Sequence, residues 1–517
     1  MRKAGLLLAL VLGQPLLAQD AETGGEPLSA IDWLSRSVAP NPPPAPTVEP
    51  PVAESAAAPQ VSVQPLDSRS PDAVGLVAPR ISGLPRGLWS ASEQERLAAL
   101  IAAQKLDTLP AIEQLMRLLM VAEADPPVDA DALGTLFLAR IDRLLEMGAL
   151  EPAAEMLVEA GPDDPDRFRR WFDTALLTGE ETQACHAMRN KPTIAPTRPA
   201  QIFCLARDGD WQAAALTLNS ARALGEVTDA EDAMLSRFLD PDLYEGEPPL
   251  AEPERVTPLV YRLREAVGEA MPSGSLPRAF SHADLRQTKA WRAQIEAAER
   301  LARHGAIEPT RLFGIYTDRV PAASGGIWDR ASAIQAFDAA LRKADAMAVA
   351  EKLPEVWEIM REARLGTAFA QHFGPQIAEM DLPKDVAETA FTIGLLGPDY
   401  EAVALEHEAR DAEEEMLVAL ARGLPEGTRS DLAPEDDPIA LALLNGFEAE
   451  QPSEALVQMI DEGRVGEVIL RAISLIDEGR AGDTGALSEG LAALRAVGLE
   501  DPARRIALQM LILERDA

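Results

Sequence analysis

The chain has 517 residues, 47% of them hydrophobic and only 4% aromatic, and carries a formal net charge of −36. A negative field of that size repels nucleic acid and anionic lipid headgroups, so neither is expected as a ligand. A composition rich in Ala and Leu suits packed helices better than sheet, because those residues are strong helix formers whereas aromatic and β-branched residues favour strands.

Met1 to Ala18 reads as a signal peptide. Arg2 and Lys3 form a basic start, Ala4 to Leu12 an apolar core, Gly13 and Pro15 break it, and Ala18 offers a small residue for cleavage before Gln19. The apolar run of about 14 residues is too short to span a bilayer comfortably, so no stable membrane insertion is expected after cleavage. An uncleaved anchor is the alternative. The expected location is the periplasm or the cell exterior.

Residues 19–58 include "APNPPPAPTVEPPVAESAAAP" and read as a disordered Pro/Ala-rich tether, extended and solvated. A short helical motif lies within it at 28–38. Ile31, Leu34 and Val38 fall on one stripe at i, i+3, i+7, with Trp33 beside them. About nine residues do not hold a helix alone in water. The motif is therefore a candidate docking element, folding either onto another protein's groove or back onto its own helical body. Residues 59–91 keep apolar groups such as Val74, Leu84, Leu88 and Trp89 among prolines and glycines that forbid a long helix. They read as an extended arm packed along the helical body.

Helical signals take over at Ser92. Ser92 with Glu95 spells a capping box, and Leu97, Leu100 and Ile101 come next at helical spacing. No strand series with period-two alternation occurs. The turns repeat a theme: Gly148 then Pro152, Gly305 then Pro309, Gly498 then Pro502, a variant at Gly209 and Asp210, and "IDEGR" starting at both Ile460 and Ile476. Glycine ends a helix in a left-handed conformation and proline starts the next. The fold class is accordingly all-α, built of degenerate helix-turn-helix repeats. The units are TPR-like without the full 34-residue pattern and are expected to stack as an α-solenoid; irregular packing is the alternative. Two helical regions are expected, 92–270 and 271–517. The second is acidic, with 27 acidic and 10 basic residues from Asp399 onward. That excess forms a solvated face or meets a cationic partner.

Cys185 and Cys204 flank "NKPTIAPTRP", which reads as a loop between two helices. A disulfide stapling this hairpin would stabilise it by roughly 3 kcal/mol in the chain-entropy model. Two separate buried thiols are the other option. The five histidines, His186, His282, His304, His372 and His407, include no i, i+4 pair. HExxH, GxSxG and the phosphate-binding glycine motifs are absent, so no catalytic, cofactor-binding or metal-ligating residue is assigned and no cofactor is expected. "PDDPDRF" reads as a helix N-terminus and "EHE" at Glu406 as an exposed polar face. One block gathers His282, Trp291, Tyr316, Trp328 and Arg330 in a chain poor in aromatics, making it the candidate groove. Core packing of the same residues is the alternative.

The helical architecture resembles that of soluble lytic transglycosylases, although their catalytic Glu-Ser motif is missing. "SAIDWLS", the Pro-rich spacer, "DAVGL", "SGGIWDR" and "LRAVGLEDPARRIAL" together resemble a group of secreted α-helical proteins of alphaproteobacteria, some labelled antifreeze glycopeptide. The resemblance implies export and an all-helical fold and brings no site residue with it. The Ala-Ala-Thr array of ice-binding glycopeptides does not occur. The function expected is a non-enzymatic periplasmic scaffold or adaptor, binding a protein or a peptidoglycan-associated partner through its helical surface. The alternatives are a glycan-cleaving cell-wall enzyme built from distant carboxylates, and an accessory protein of an envelope machine.

Overall fold

The computed structural model describes residues 70–423, 432–433 and 437–514. The stretches expected to be a signal peptide and a tether, with the motif at 28–38, lie outside the described residues. Within them the protein is all-α, without a strand.

Residues 70–91 wrap the start of the helical body. A 3-10 turn at Pro71–Ala73 leads to a single bridge between Val77 and Ala122, then to α1 (Pro79–Ser82) and the buried Leu88 and Trp89. The guanidinium of Arg140 fixes this segment. Wholly buried, it donates to the carbonyls of Met120, Ala122, Asp72 and Val74 at 2.8–3.2 Å.

The chain continues through α2 (Gln94–Ala102), α3 (Pro110–Val121), α4 (Thr135–Glu146) and α5 (Leu150–Glu159). The capping box expected at Ser92 and Glu95 does not form. Glu93 is the N-cap, Ser92 is buried, and Asp129 accepts from the Gln94 N–H at 2.9 Å instead. A carboxylate 35 residues away has displaced the local cap, since either satisfies the same orphan donor.

α6 (Pro165–Thr178) opens a lobe with its own core. Asp164 caps it by accepting from Asp166 and Arg167, so "PDDPDRF" is a helix start, as its acidic residues and prolines predict. α7 (Glu181–Asn190), α8 (Arg198–Arg207), α9 (Trp211–Leu224), α10 (Asp229–Leu239) and α11 (Pro258–Ala266) pack about Phe168, Phe172, Leu176, Ile202, Phe203 and Leu263. The Cys185–Cys204 disulfide joins α7 to α8 inside this core, with Cα atoms 5.1 Å apart.

The main core resumes with a 3-10 helix at Arg278–Leu285, α12 (Trp291–Ala302), α13 (Pro309–Thr317), α14 (Ile327–Arg342), α15 (Ala346–Glu362) and α16 (Gly366–Ala378). α17 (Ala387–Leu396), α18 (Tyr400–Glu406), α19 (Ala412–Arg422), α20 (Pro438–Glu448) and α21 (Glu454–Asp461) lead to α22 (Val465–Arg480), α23 (Thr484–Ala496) and α24 (Glu500–Leu513). Neighbours pair as hairpins, α8 with α9, α14 with α15, α16 with α17 and α22 with α23.

The ends of the array then meet. α22 packs on α2 and α24 on α3. Gln509 accepts from the Ala111 N–H at 2.8 Å, serving a free donor at the start of α3, and Thr108 donates to Asp477 at 2.5 Å. The packing thus does not divide at 270. One core runs from Leu84 to Leu157 and again from Tyr261 to Ile512, joined by Leu177 of α6, and the lobe core lies between. A partition by chain order misses this because the joining contacts are some 370 residues apart.

The repeated "IDEGR" has two fates. From Ile460 it ends α21, and Gly463 turns the chain at φ +78°. From Ile476 it stays helical, and Gly479 is there for close approach, since a Cβ would lie 2.5 Å from the Leu487 Cβ.

This packing makes two outcomes testable. At Gly466 a Cβ would fall 2.5 Å from the Trp89 ring and 2.7 Å from the Leu88 carbonyl, which is backbone and cannot swing aside. Gly466→Ala is expected to cost about 1–3 kcal/mol and lower the melting temperature; an unchanged melt would remove this contact from the closure. Opening the disulfide with reductant is expected to cost the lobe roughly 3 kcal/mol. Hydrogen exchange should then rise within residues 165–263 and hold steady elsewhere; an even rise over the chain would contradict a separate lobe core.

Candidate binding cleft

The aromatic block does come together, but around a buried carboxylate. Glu299, on α12, accepts from the Tyr316 hydroxyl at 2.7 Å, from Arg330 through both oxygens at 2.9 and 2.8 Å, and from Arg303 at 3.0 Å. Burial, and then the Glu299 charge, push the Tyr316 hydroxyl well above its usual range. Trp291 is buried, donates to the Ile315 carbonyl at 2.8 Å and lies 5.2 Å from the half-buried Trp328. Trp291 and Tyr316 are therefore core, and Trp328 and Arg330 are half-buried beside them. Packing Trp291 against Trp328 and Tyr316 against Phe313 removes aromatic surface from water.

His282 sits apart from that cluster. Its Nε2 is 2.6 Å from the Gly148 carbonyl; a carbonyl only accepts, so Nε2 carries the proton. Burial depresses the imidazole from 6.5 to about 4, against the pull of that hydrogen bond. Gly148 ends α4's turn at φ +78°, and its missing side chain leaves room for Leu301 and Arg278.

In front of His282 lies a cleft of about 840 Å³, walled by α5, α6, the 3-10 helix, α12 and α13. Its lining includes Trp171, Gln183, Arg286, Gln287, Arg311 and Glu151. Arg311 reaches across to Glu151 at 2.7 Å, joining two walls. Arg286 is held from behind by Glu265, which contacts it at 2.6 Å and also bonds Lys289 and Arg262. Burial opposes ionisation of Glu265, but those three cations outweigh it and hold the carboxyl at about 2. The cleft thus has a fixed guanidinium, exposed amides and one half-buried indole.

Of the block picked from the sequence, one residue reaches this cleft directly and one through a neighbour. His282 contributes to its wall, and Trp291 pins Ile315, which lines it. Trp171 and Gln183 carry no motif that marks them in the sequence. One signal does exist: Phe168, Phe172 and Leu176 mark α6's core stripe, and Trp171 stands at its edge, half-buried and 5.9 Å from the Phe168 ring. The docking motif Ile31, Trp33, Leu34 and Val38 is outside the described residues. "EHE" is not a plain exposed face: His407 stacks on Phe391 at 3.6 Å and pairs with Glu414 at 2.9 Å.

Among the described residues no three His, Cys, Asp or Glu side chains are grouped to hold a metal ion, and no helix is long and apolar enough to cross a membrane. No protein-family model, curated protein or solved structure matches the chain.

His282 makes the fold acid-sensitive. Its folded value lies below its unfolded one, so its contribution is full above 6.5 and is lost as pH falls toward 4. Over that span the loss amounts to about 3 kcal/mol. His282→Gln keeps a donor for Gly148 and does not titrate. Its melting temperature should fall less than that of the unaltered protein on acidification; parallel curves would exclude the effect.

Proposed function

We propose that the protein is a non-enzymatic scaffold of the cell envelope that holds a peptidoglycan-associated partner in this cleft. The signal-like Met1–Ala18 and the disulfide are compatible with export to an oxidising compartment. The observation that carries the reading is the lining itself, one half-buried indole among amides and guanidinium groups. A pyranose ring has an apolar C–H face that stacks on an indole and a rim of hydroxyls and amides that pair with such side chains. Few convergent polar groups around an aromatic platform are the usual form of a specific site.

The cleft also contains Glu151, Glu155, Glu180 and Asp318, which keeps glycan cleavage as the second reading. Cleavage needs one carboxyl kept protonated, and an apolar buried setting does that. All four carboxylates are solvent-exposed, and Glu151 is tied to Arg311, so the surroundings favour holding a glycan over cutting it.

Co-sedimentation with purified peptidoglycan sacculi tests the proposal. The full chain should sediment with them and release no soluble fragments. Trp171→Ala should weaken retention about tenfold, the equivalent of 1.4 kcal/mol. Retention indifferent to Trp171, or none at all, overturns the reading; released muropeptides would establish the enzyme instead.

A further inference from the structure

α6 has a second working face. Arg169, Phe172 and Asp173 line another cleft, of about 770 Å³, bounded by α8, α10, α11 and the irregular strap at 250–255. Its walls are largely apolar, with Phe172, Pro199, Met234, Leu250 and Leu259. Asp173 belongs to its lining and is only 8% exposed, yet its Oδ2 has no hydrogen-bond partner. Burial pushes this carboxyl up to about 7 against the charges of Arg169 and Arg170.

A buried carboxylate oxygen without a donor is costly and calls for an explanation, since nearly all such atoms are satisfied in folded proteins. A ligand donor is one explanation, and the charges around the cleft say of which kind. Arg170 is committed to Asp142 through two bonds of 2.6 and 2.7 Å, and Arg264 to Glu269 at 3.2 Å. Glu231 is occupied in the capping box of α10. Arg169 and Arg255 then line the cleft with Asp173 and the exposed Asp229, Glu252 and Glu254, so its charge is net negative.

We propose that this cleft binds a primary ammonium group carried on an apolar body, the ammonium donating to Asp173 Oδ2 and the body lying among Phe172, Met234 and Leu259. Its source is a free hydrophobic amine or the amino terminus of an apolar peptide, which share that chemistry. The site does not depend on the glycan reading.

Calorimetric titration of the full chain tests it, with hexylammonium and hexanol as one pair of probes and tri-leucine with a free or an acetylated amino terminus as the other. Hexylammonium should bind saturably and at least tenfold more tightly than hexanol. A matching preference for free over acetylated tri-leucine assigns the peptide source, and binding of hexylammonium alone assigns the free amine. Asp173→Asn should lower affinity tenfold or more while its thermal melt shows a folded protein. Ala233→Trp, at an exposed lining position, should block the cleft and leave the carboxylate in place. Equal binding of hexanol and hexylammonium, no binding of either ammonium probe, or unchanged affinity in both variants overturns the proposal.

Discussion

Trp89 rests on Gly466, and the Gly466 N–H donates to the Leu88 carbonyl at 3.0 Å. Through this contact the last helices are held against the first. An open array of helical hairpins has two end faces, and each needs a polar capping unit to stay soluble. Here α2 and α3 are covered by α22 and α24, so each end serves as the other's cap. The closure extends to hydrogen bonding. Gln104 donates to the Leu470 carbonyl, and Arg480 donates to Thr108, beside the pairs made by Gln509 and Asp477. A body closed in this way holds α5, α12 and α13 at fixed distances, which is what gives the first cleft a shape.

Closure of this kind also buries charge. Removing ions from water costs several kcal/mol each, and their attraction repays it only with near-complete hydrogen bonding. The protein meets that condition with arginine, whose planar fork supplies several donors at once. Arg140 directs them to four carbonyls, Arg170 to both oxygens of Asp142, and Arg330 to both oxygens of Glu299. Asp72 uses its carboxylate as a remote cap, accepting from the Phe137 N–H at 2.7 Å where the N-cap Gly134 has no side chain to offer. These groups act as struts. They fix helix rotation and spacing in a core of Ala and Leu, whose smooth surfaces specify neither well.

How legible this was in the sequence depended on the range of the forces involved. Helix class, the glycine turns, the helix start at "PDDPDRF" and the Cys185–Cys204 hairpin are set within some twenty residues, and the residues alone signal them; the prolines signal less, since Pro309 opens its helix while Pro152 and Pro502 stand at the third position of theirs. The failures are long-range. Asp129 took the place of Ser92 as a cap, and one "IDEGR" became a turn while the other stayed helical because Leu487 came to lie against Gly479. Of the aromatic block, His282 lines the first cleft and Trp291 touches its wall through Ile315. The block's orientation was hidden, because Glu299 is an ordinary helix residue until Tyr316 and Arg330 are brought to it. Closure leaves no periodic trace at all, and a solenoid read from hairpins gives no hint that its ends meet.

The two clefts share one wall, and the helix explains how. On α6, Trp171, Thr174, Ala175 and Thr178 stand at i, i+3, i+4, i+7 and face the first cleft. Arg169, Phe172 and Asp173 lie about half a turn round and face the second. A wall shared by two clefts keeps both in shape only if it is stiff. Arg170, between the two faces, pins α6 to α4 through Asp142, and Phe168 and Phe172 anchor its other side in the core that the disulfide staples. The helix cannot roll without breaking a bidentate ion pair that is shielded from water, which costs about 3–5 kcal/mol when one partner is lost. The shared wall is therefore held in one orientation, with an indole on one face and a lone carboxylate oxygen among apolar walls on the other.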